Sequence, residues 1–317
     1  IEPRRGDIIH AFLFVPLHYL NPKTLIVICG PTAVGKTKAA IELAKQLDTA
    51  VVSADSRQVY REMKTGTARP DESELQGIKH YLLGHISIEE DYNAGKFEAD
   101  ALKALDEIFK KNDYAILCGG TGLYINAVLY GFDELPEKDE KLRAFIETEY
   151  EKNGLPWLQE KLKELDPIFY EKAELKNPQR MMRAVEVCMS SGKTHAELKS
   201  QEKIKKTRPF TVIKTGLNTD RDELYTRIHQ RVDEMMEKGL LEEARSLHPK
   251  KHLNALQTVG YTELFDYFEG KTSLERAVEL IKQNTRHYAK RQITWFKRDE
   301  EIRWFSTGEI MDLRFQV

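Results

Sequence analysis

The stretch GPTAVGKT, residues 30–37, decides the fold of this chain. It follows the apolar run LIVICG (25–30) and leads directly into KAAIELAKQL, whose apolar residues recur at helical spacing. A G-x-x-x-x-G-K-[ST] loop between a strand and a helix holds phosphate groups with its backbone N–H groups, its lysine and the helix N-terminus. The stretch therefore predicts a phosphate-binding loop, and the rest of the chain has to identify the phosphate ligand.

Two further apolar runs predict strands that alternate with helices. TAVVSAD (49–55) follows the first helix, and YAILCGG (114–120) follows the amphipathic stretch ALKALDEIFKK. This alternation predicts an α/β fold, a P-loop-type doubly wound parallel sheet whose ligands bind beyond the carboxyl ends of the strands. We expect the second strand to neighbour the first, so that ADSRQ and GGTGLY both lie near the phosphate loop.

The composition changes part-way along the chain, which indicates a helical insertion into the core. Residues 135–205 are highly charged and helical in pattern, with Asn177 as a predicted N-cap and Pro178 at the first helical position. FTVIKTGL (210–217) restores strand character, and one long amphipathic helix is predicted after it. The expected organisation is an N-terminal extension of unknown role (1–22), a P-loop core with C-terminal helices (23–134 and 206–317) and a helical insertion domain (135–205).

The overall composition is that of an ordinary globular protein. The chain has 317 residues, of which 41% are hydrophobic and 32% charged, and its formal net charge is −2. This balance gives no global sign of a nucleic-acid partner, so such a partner has to be argued from local clusters. The three cysteines form no CxxC pair, which excludes a cysteine-rich zinc module and favours a reducing cytoplasm. No segment approaches the roughly 20 apolar residues of a membrane span.

Several residues at the predicted strand ends can do chemistry. Lys36 supplies a positive charge, and the Thr37 hydroxyl is placed to bind a Mg²⁺ ion that bridges two phosphates. Asp55 could bind magnesium, could take a proton from a substrate amine or hydroxyl, or could cap a helix. GGTGLY (119–124) presents Thr121 and three glycines where a nucleotide hydrolase often has a magnesium-binding Asp, and this absence weakens the ATPase hypothesis.

Basic residues cluster in two segments. QRMMR (179–183) places Arg180 and Arg183 on one face of a predicted helix. RHYAKRQITWFKR (286–298) interleaves basic and aromatic residues, a composition that suits a phosphate backbone with unstacked bases. Taken alone, such a stretch is more often a solvated helix face with an apolar stripe.

Two more arginines lie four residues apart in LYTRIHQRVDEM, after the strand at 210–217. Arg227 and Arg231 share one face of the predicted helix. They could meet a second phosphate, or they could form ion pairs with Glu223 and Asp233 on the same helix. The sequence leaves both possibilities open.

Seven segments of the chain occur in the order seen in tRNA dimethylallyltransferases: GPTAVGKT, SADSRQVY, GGTGLY, NPQRMMRA, LYTRIHQRVDEM, VGYTEL and HYAKRQITWFKR. The chain resembles the compact bacterial form of this family from residue 24 to residue 298. Many families share the loop alone, whereas ADSRQ, GGTGLY and AKRQITWF in combination are specific. The resemblance implies a prenyltransferase that moves a dimethylallyl group from its diphosphate to N6 of the adenosine adjacent (3′) to the anticodon of tRNAs.

The resemblance also implies roles for individual residues. Asp55 matches the family's proposed base, Thr121 matches a residue near the reacting centre, and Lys36 and Arg227 would stabilise the leaving diphosphate. Thr37 would be the protein's ligand to a Mg²⁺ cofactor. The residues implied to bind the diphosphate are Gly30, Pro31, Thr32, Ala33, Val34, Gly35, Lys36 and Thr37. Those implied to contact tRNA are Asp55, Ser56, Arg57, Gln58, Thr121, Arg143, Gln179, Arg180, Met181, Met182, Arg183, Arg286, Lys290 and Arg291.

The partners implied are the anticodon stem-loop of tRNA and dimethylallyl diphosphate, bound by a monomeric cytoplasmic enzyme without a membrane partner. Three alternatives remain at this level. A small-molecule or nucleoside kinase would hold ATP in the same loop and use Asp55 as base for a hydroxyl. An adenylate isopentenyltransferase would prenylate free nucleotides and would need neither the insertion nor the basic C-terminal helix. An NTP-driven switch predicts a magnesium Asp and a water-orienting residue, and GGTGLY offers neither.

Overall fold

Six strands form one parallel sheet at the centre of the fold. They are Thr24–Cys29 (β1), Val51–Ser53 (β2), His80–Tyr81 (β3), Tyr114–Gly119 (β4), Thr211–Leu217 (β5) and Arg303–Phe305 (β6). Their spatial order is β3-β2-β4-β1-β5-β6, and every neighbouring pair is parallel. The structure, a computed structural model, describes residues 23–131, 139–200, 207–306 and Glu309, so the extension expected at residues 1–22 lies outside the described part.

The second strand does not neighbour the first, and the expectation that it would is wrong. β4 lies between them, pairing Ile26 with Ile116 on one side and Val52 with Leu117 on the other. After β2 the chain crosses to the edge strand β3 and returns to insert β4, whose apolar residues need a neighbour on each side. As a result, the end of β4 lies between the phosphate loop and the end of β2.

Twelve α-helices occur in the described residues. They are Lys36–Gln46 (α1), Glu72–Leu75 (α2), Ala94–Phe109 (α3), Gly122–Tyr130 (α4), Glu140–Leu165 (α5), Pro167–Lys172 (α6), Pro178–Ser191 (α7), His195–Ser200 (α8), Arg221–Glu237 (α9), Leu240–Leu247 (α10), Thr262–Phe268 (α11) and Leu274–Phe296 (α12). α1 buries Ala40, Leu43 and Ala44 in the core around the sheet, as the sequence spacing predicts. The one long helix expected after β5 is instead α9 and α10, because the intervening Gly239 adopts φ 92°. Over the described ranges, no helix is both long enough and apolar enough to cross a bilayer.

The described residues form two compact units. The first contains the sheet and comprises the described residues up to Leu129 and from Arg208 onward, and the second spans Tyr130–Thr207. The second unit is helical, with a core that includes Ile146, Leu158 and Val185. Because apolar residues of α5 and α7 meet in this core, the unit has its own hydrophobic interior. The predicted boundaries of the insertion at 135 and 205 fall within it.

Candidate active site

Left-handed backbone conformations shape the phosphate loop between β1 and α1. Gly30, Ala33 and Gly35 have φ values of 145°, 63° and 98°. At Gly30 an added Cβ would lie 2.4 Å from the carbonyl oxygen of Leu217 at the end of β5, so only glycine fits there. The first N–H groups of α1 have no partner within the helix, and together with the helix dipole they favour an anion.

Lys36 begins α1 and folds back over the loop. Its Nζ donates a hydrogen bond of 2.7 Å to the carbonyl oxygen of Pro31. Burial lowers the pKa of Lys36 to about 8, and the nearby carboxylate of Asp55 opposes that shift. A phosphate ligand would replace the carbonyl contact with a stronger charged one and would favour the ammonium form.

Gln292 on α12 ties the phosphate loop to the end of β4. Its Oε1 accepts a hydrogen bond from the N–H of Thr32 at 2.8 Å, and its Nε2 donates to the carbonyl oxygen of Gly120 at 2.9 Å. The side chain is 5% exposed, and a Cβ on Gly120 would lie 2.2 Å from its Nε2. A buried amide therefore satisfies one backbone group of each loop and fixes their separation.

Asp55 follows β2 and caps the turn that it begins. Its Oδ1 accepts hydrogen bonds from the N–H groups of Arg57 at 2.9 Å and Gln58 at 3.3 Å. The sequence offered a helix N-cap as the alternative to catalysis, whereas here the same kind of side-chain bond closes a turn, since no α-helix begins at Asp55. Among hydrogen bonds within the described residues, both go to Oδ1, so the turn orients the carboxylate while Oδ2 remains available to a substrate. Capping and proton transfer are therefore compatible.

Thr121 follows β4 and supports the turn at Asp55 from the side. Its Oγ1 accepts a hydrogen bond of 2.9 Å from the N–H of Ser56, and its own N–H donates to the carbonyl oxygen of Ala54 at 3.1 Å. Tyr288 on α12 is a near neighbour of Thr121, and burial raises the pKa of its phenol. Tyr288 is therefore a neutral hydroxyl at physiological pH.

Arg231 on α9 reaches the phosphate loop. Its Nη1 donates to the hydroxyl oxygen of Thr32 at 3.2 Å. Burial lowers the pKa of this guanidinium, whereas the charge of Asp55 acts in the opposite direction. Since an arginine remains charged even so, Arg231 adds a fixed positive charge beside the loop.

Arg227, the arginine for which the resemblance implied a role at the diphosphate, also reaches the phosphate loop. It forms an ion pair with Glu223 one turn away, and its Nη1 lies 3.4 Å from the carbonyl oxygen of Val34. Arg231 does not form the alternative ion pair with Asp233; within the described residues, Asp233 pairs with Lys282 at 2.7 Å. The role of Arg227 at the diphosphate stays a prediction.

Two cavities share a wall at the carboxyl edge of the sheet. The first, of about 370 Å³, is lined by the phosphate loop and the start of α1. The second, of about 500 Å³, is lined by parts of α9, α11 and α12, including Tyr288. The residues that border both cavities are Thr32, Asp55, Thr67, Ala68 and Arg231. Asp55 therefore stands between an anion-binding cavity and a second cavity large enough for an aromatic base.

The first cavity offers oxygen atoms that suit a hard divalent cation. Thr37 and Ser53 contribute hydroxyl groups to its lining, and Asp55 contributes a carboxylate. Cys118 also lines this cavity, but burial raises the pKa of its thiol to about 12. Mg²⁺ prefers oxygen ligands and shares them with substrate phosphates and water. The residues present fit the magnesium ion that the sequence predicts.

The carboxylate of Glu243 holds the loop that begins at residues 64–66 and supplies Thr67 and Ala68 to the wall between the two cavities. Glu243 on α10 accepts hydrogen bonds from the three successive N–H groups of residues 64–66, at 3.1, 2.7 and 2.8 Å. It also accepts one of 2.7 Å from the hydroxyl of Tyr261, whose side chain is fully buried. These four bonds to a charged acceptor fix the loop and, with it, Thr67 and Ala68 beside the cavities.

Other predicted tRNA contacts near the site also bind within the fold. Arg57 donates from Nη1 to the carbonyl oxygens of Asn254 and Ala255, each at 3.0 Å. Gln58 donates from Nε2 to the carbonyl oxygen of Thr67 at 3.0 Å. ADSRQ therefore connects loops that are distant in sequence, and its predicted contact with tRNA stays a prediction.

In the second unit, three of the predicted tRNA contacts share a polar network. Arg143 donates from Nη2 to the side-chain oxygen of Gln179 at 2.8 Å and pairs with Glu147 at 2.7 Å. Arg143 and Arg183 also approach the two carboxylate oxygens of Glu186, at 3.6 and 2.9 Å. Glu186 is 1% exposed, so these arginines neutralise a buried charge between α5 and α7.

The remaining residues of QRMMR divide between core and surface. The side chains of Met181 and Met182 are buried in the hydrophobic core of the second unit, which leaves their backbone as the part that could touch a ligand. Arg180 is exposed on α7. The Asn177 side chain accepts from the N–H of Arg180 at 3.1 Å, which confirms the predicted N-cap, and Pro178 is at the first helical position.

The basic residues predicted on the last helix lie on α12. Arg286 contacts His229 and stacks over the ring of Tyr225. Lys290 and Arg291 are exposed, and Arg291 also lines the second cavity. Part of the basic stretch thus packs within the fold, and part of it faces solvent beside the candidate site.

Comparison with known proteins identifies the family. Residues 58–299 match the IPP transferase family, a range that includes the whole second unit and α12 but not the phosphate loop. A tRNA dimethylallyltransferase from Flavobacterium johnsoniae is 52% identical over 289 residues, which cover 89% of this chain and 93% of that protein. The chain belongs to the tRNA dimethylallyltransferase family. The resemblance found in the sequence is confirmed.

Solved structures of this family share the fold. A full-length tRNA isopentenylpyrophosphate transferase from Bacillus halodurans is 36% identical, with a TM-score of 0.67 over 92% of this chain and 94% of that chain. A eukaryotic dimethylallyltransferase acting on tRNA is 27% identical, with a TM-score of 0.72 over 86% of this chain and 70% of that chain. Together with the parallel sheet, they confirm the predicted P-loop-type α/β fold of this tRNA dimethylallyltransferase family member.

Sequence reasoning did not select three residues that the structure places at the site. Gln292 was quoted within AKRQITWF without a role, although its spacing to Ala289 and Phe296 puts a polar side chain on the buried face of α12. Glu243 gave no local signal, because its partners lie in a distant loop and at Tyr261. Tyr288 belongs to the stretch 286–298, whose composition suits unstacked bases, and the structure places it in the lining of the second cavity.

Proposed function

We propose that this chain transfers a dimethylallyl group from dimethylallyl diphosphate to N6 of the adenosine adjacent (3′) to the anticodon of tRNAs, releasing diphosphate. The names of its relatives support this activity. The observation that carries the proposal is that Asp55 lies in the wall shared by the two cavities. A donor on one side and an acceptor base on the other would then meet at one carboxylate.

On the donor side, the diphosphate would bind in the first cavity, against the N–H groups at the start of α1. Lys36 would exchange its contact with Pro31 for the phosphate oxygens, and Arg231 would add its charge from the opposite side. Thr37 is the protein group that would hold Mg²⁺ there, which leaves the free oxygen of Asp55 for the acceptor. When bound, Mg²⁺ would neutralise charge on the diphosphate and make it a better leaving group.

On the acceptor side, the exocyclic amine is a weak nucleophile because its lone pair is delocalised into the purine ring. In the transfer step the N6–C1 bond forms while the C1–O bond breaks, and the bonding electron pair leaves on the diphosphate. One amine proton must also leave. Asp55 would accept it at the oxygen that the turn at Arg57 and Gln58 does not use, since that turn fixes the orientation of its carboxylate.

The acceptor adenosine would have to leave its stack to reach this edge of the sheet. The second cavity offers Tyr288 and Asn284 on α12 as polar neighbours for a base. Thr121 would act indirectly, by holding Ser56 next to Asp55. This assigns Thr121 to positioning next to the reacting centre.

The proposal includes tRNA as macromolecular partner, a monomeric chain and a cytoplasmic reaction. Support for tRNA binding comes from the exposed Lys290 and Arg291 beside the second cavity and from the exposed Arg180 on α7. Cys29, Cys118 and Cys188 are free and buried, as expected of a chain kept in a reducing compartment.

The proposal is tested by incubating the chain with magnesium, labelled dimethylallyl diphosphate and either unmodified tRNA or AMP. We expect label in tRNA and none in AMP, with no turnover when ATP replaces the allylic diphosphate. Label in AMP alone would assign the chain to the adenylate isopentenyltransferases, and phosphate transfer from ATP would assign it to the kinases. Asp55→Asn, which keeps an oxygen for the turn but cannot accept the proton, serves as the matched inactive control.

A further inference from the structure

Three side chains of metal-binding types converge in the second unit, where α5 ends and α6, α7 and α8 meet. The Sγ of Cys188 lies 3.7 Å from Nδ1 of His195, and that same nitrogen lies 3.7 Å from Oδ2 of Asp166. One ligand atom from each residue lies within 4.8 Å of the other two. Zinc bonds of about 2.3 Å to sulfur and about 2.0–2.1 Å to nitrogen and oxygen place tetrahedral ligands about 3.3–3.6 Å apart. The two distances from Nδ1 of His195 are close to that spacing.

We propose that Asp166, Cys188 and His195 form a binding site for a zinc-class divalent metal ion. The three atoms lie near enough to one another to bind a single ion. They also combine a thiol, an imidazole and a carboxylate, a set that favours zinc over magnesium or calcium. The described residues supply three ligands, so water would take the fourth position.

Burial supports a cation at this point. Asp166 is fully buried, and no lysine or arginine among the described residues pairs with it. Its Oδ1 accepts from the N–H of Phe169 at 2.9 Å, and its Oδ2 accepts from the N–H of His195 at 2.7 Å. A carboxylate removed from water needs charge compensation as well as hydrogen bonds, and a bound divalent ion supplies it.

The geometry also supports rigid ligation with an access route. The backbone bonds to Asp166 fix its carboxylate, and the ring of Phe169 stacks on that of His195 with centroids 4.3 Å apart. The His195 side chain is 15% exposed, whereas the Asp166 side chain is 1% exposed. An ion would therefore enter from the His195 side and meet ligands that are already oriented.

A Cys-His-Asp relay is the main alternative, and the geometry argues against it. A relay needs one ring nitrogen on the thiol and the other on the carboxylate, whereas here Nδ1 of His195 faces both. An ion at this point would join α7, which carries Cys188, to Asp166 at the end of α5 and to His195 at the start of α8. It would thereby stabilise a small helical unit.

The test uses the full chain, stripped with chelator and then titrated with Zn²⁺ or Co²⁺ while magnesium and diphosphate occupy the phosphate loop. We expect one equivalent of Zn²⁺ per chain and a melting temperature about 3 °C higher in excess zinc. With Co²⁺ we expect tetrahedral visible bands and a thiolate-to-metal charge-transfer band. Cys188→Ser should abolish that band, and His195→Ala should weaken cobalt binding at least about tenfold.

The matched control is Cys118→Ala, which removes the thiol beside the phosphate loop and should leave the charge-transfer band unchanged. Circular dichroism of each stripped variant establishes whether it is folded. If Cys188→Ser does not fold, His195→Ala serves as the second variant, because the His195 side chain is partly exposed. The proposal is overturned if the folded parent chain binds less than about 0.1 equivalent of Zn²⁺. It is equally overturned if the band persists in Cys188→Ser or disappears in Cys118→Ala.

Discussion

In the first unit, the polar residues of the sequence motifs lie near the ends of parallel strands and border two cavities. In the second unit, Arg143 and Arg183 lie on helices and form ion pairs within the unit. Asp55 and Lys36 keep groups that a ligand can reach. Arg143 and Arg183, by contrast, neutralise the buried Glu186. The same kind of motif therefore has different consequences in the two settings.

The difference follows from the geometry of the two architectures. Parallel strands end at one edge and leave their loops around a crevice, so polar residues there meet substrate. Helices packed on each other leave no such edge, and a charge on the packed side needs a partner within the unit. Chemistry is thus expected of the first unit, and binding and stability of the second.

The largest effect is expected from the carboxylate in the shared wall. Asp55→Ala should lower kcat for transfer to tRNA by about 10³-fold, since it removes the proposed base and the cap of its turn. Measured tRNA affinity should change by less than about threefold. Asp55→Asn keeps an oxygen for the N–H groups of Arg57 and Gln58, so near-parental kcat in this variant would reduce Asp55 to a cap.

The next effect concerns the loop held by Glu243. Glu243→Gln should lower the free energy of unfolding by about 1–3 kcal/mol, because three backbone N–H groups and the Tyr261 hydroxyl lose a charged acceptor. We expect kcat/KM to fall about tenfold as Thr67 and Ala68 lose their fixed position. Tyr261→Phe removes one of the four bonds and should cost about 1 kcal/mol.

Denaturant unfolding measures the loss of stability in Glu243→Gln and Tyr261→Phe, and steady-state kinetics measure the change in kcat/KM. Equal losses in the two variants, or an unchanged kcat/KM in Glu243→Gln, would show that the loop is held by other contacts.

The third effect is the pH dependence of diphosphate binding. Burial lowers the pKa of Lys36 to about 8. Below that pH the ammonium is already present, whereas above it binding must take up a proton. Affinity for diphosphate should therefore be nearly constant from about pH 6.5 to 7.5 and should then fall toward tenfold per pH unit.

Calorimetric titration in buffers of different ionisation enthalpy measures that proton uptake directly. Lys36→Met should bind weakly and lack the uptake. A parent chain whose affinity and proton uptake do not change between about pH 7 and pH 9.5 would contradict the assignment to Lys36.

The smallest effect is expected in the second unit, where the exposed Arg180 is compared with Arg183, which pairs with the buried Glu186. Arg180→Ala should weaken tRNA binding about threefold to tenfold at low salt and reduce the salt slope by about one, with a stability change within about 0.5 kcal/mol. Arg183→Ala should instead lower stability by about 1–3 kcal/mol, since Glu186 keeps one arginine fewer. If the two variants behave alike in binding and unfolding, the distinction between them fails.

The sequence predicted those parts of the site that depend on local order along the chain. The phosphate loop, the N-cap at Asn177 and the apolar face of α1 each follow from residues within one turn or one helix. The position of β2 did not, because strand order depends on crossovers and on β4 needing two neighbours. Gln292 and Glu243 act on loops about 170–260 positions away along the chain, and such contacts leave little trace in local pattern.

The central claim is that the donor diphosphate and a tRNA base meet at Asp55. It is tested most directly by mapping the product of a single turnover on two tRNAs that differ only in the nucleotide 3′ of the anticodon. With adenosine there, we expect one dimethylallyl group on its N6 amine and one diphosphate released per group transferred. With guanosine there, we expect no transfer. Transfer to both tRNAs, or diphosphate release without a modified adenosine, would contradict it.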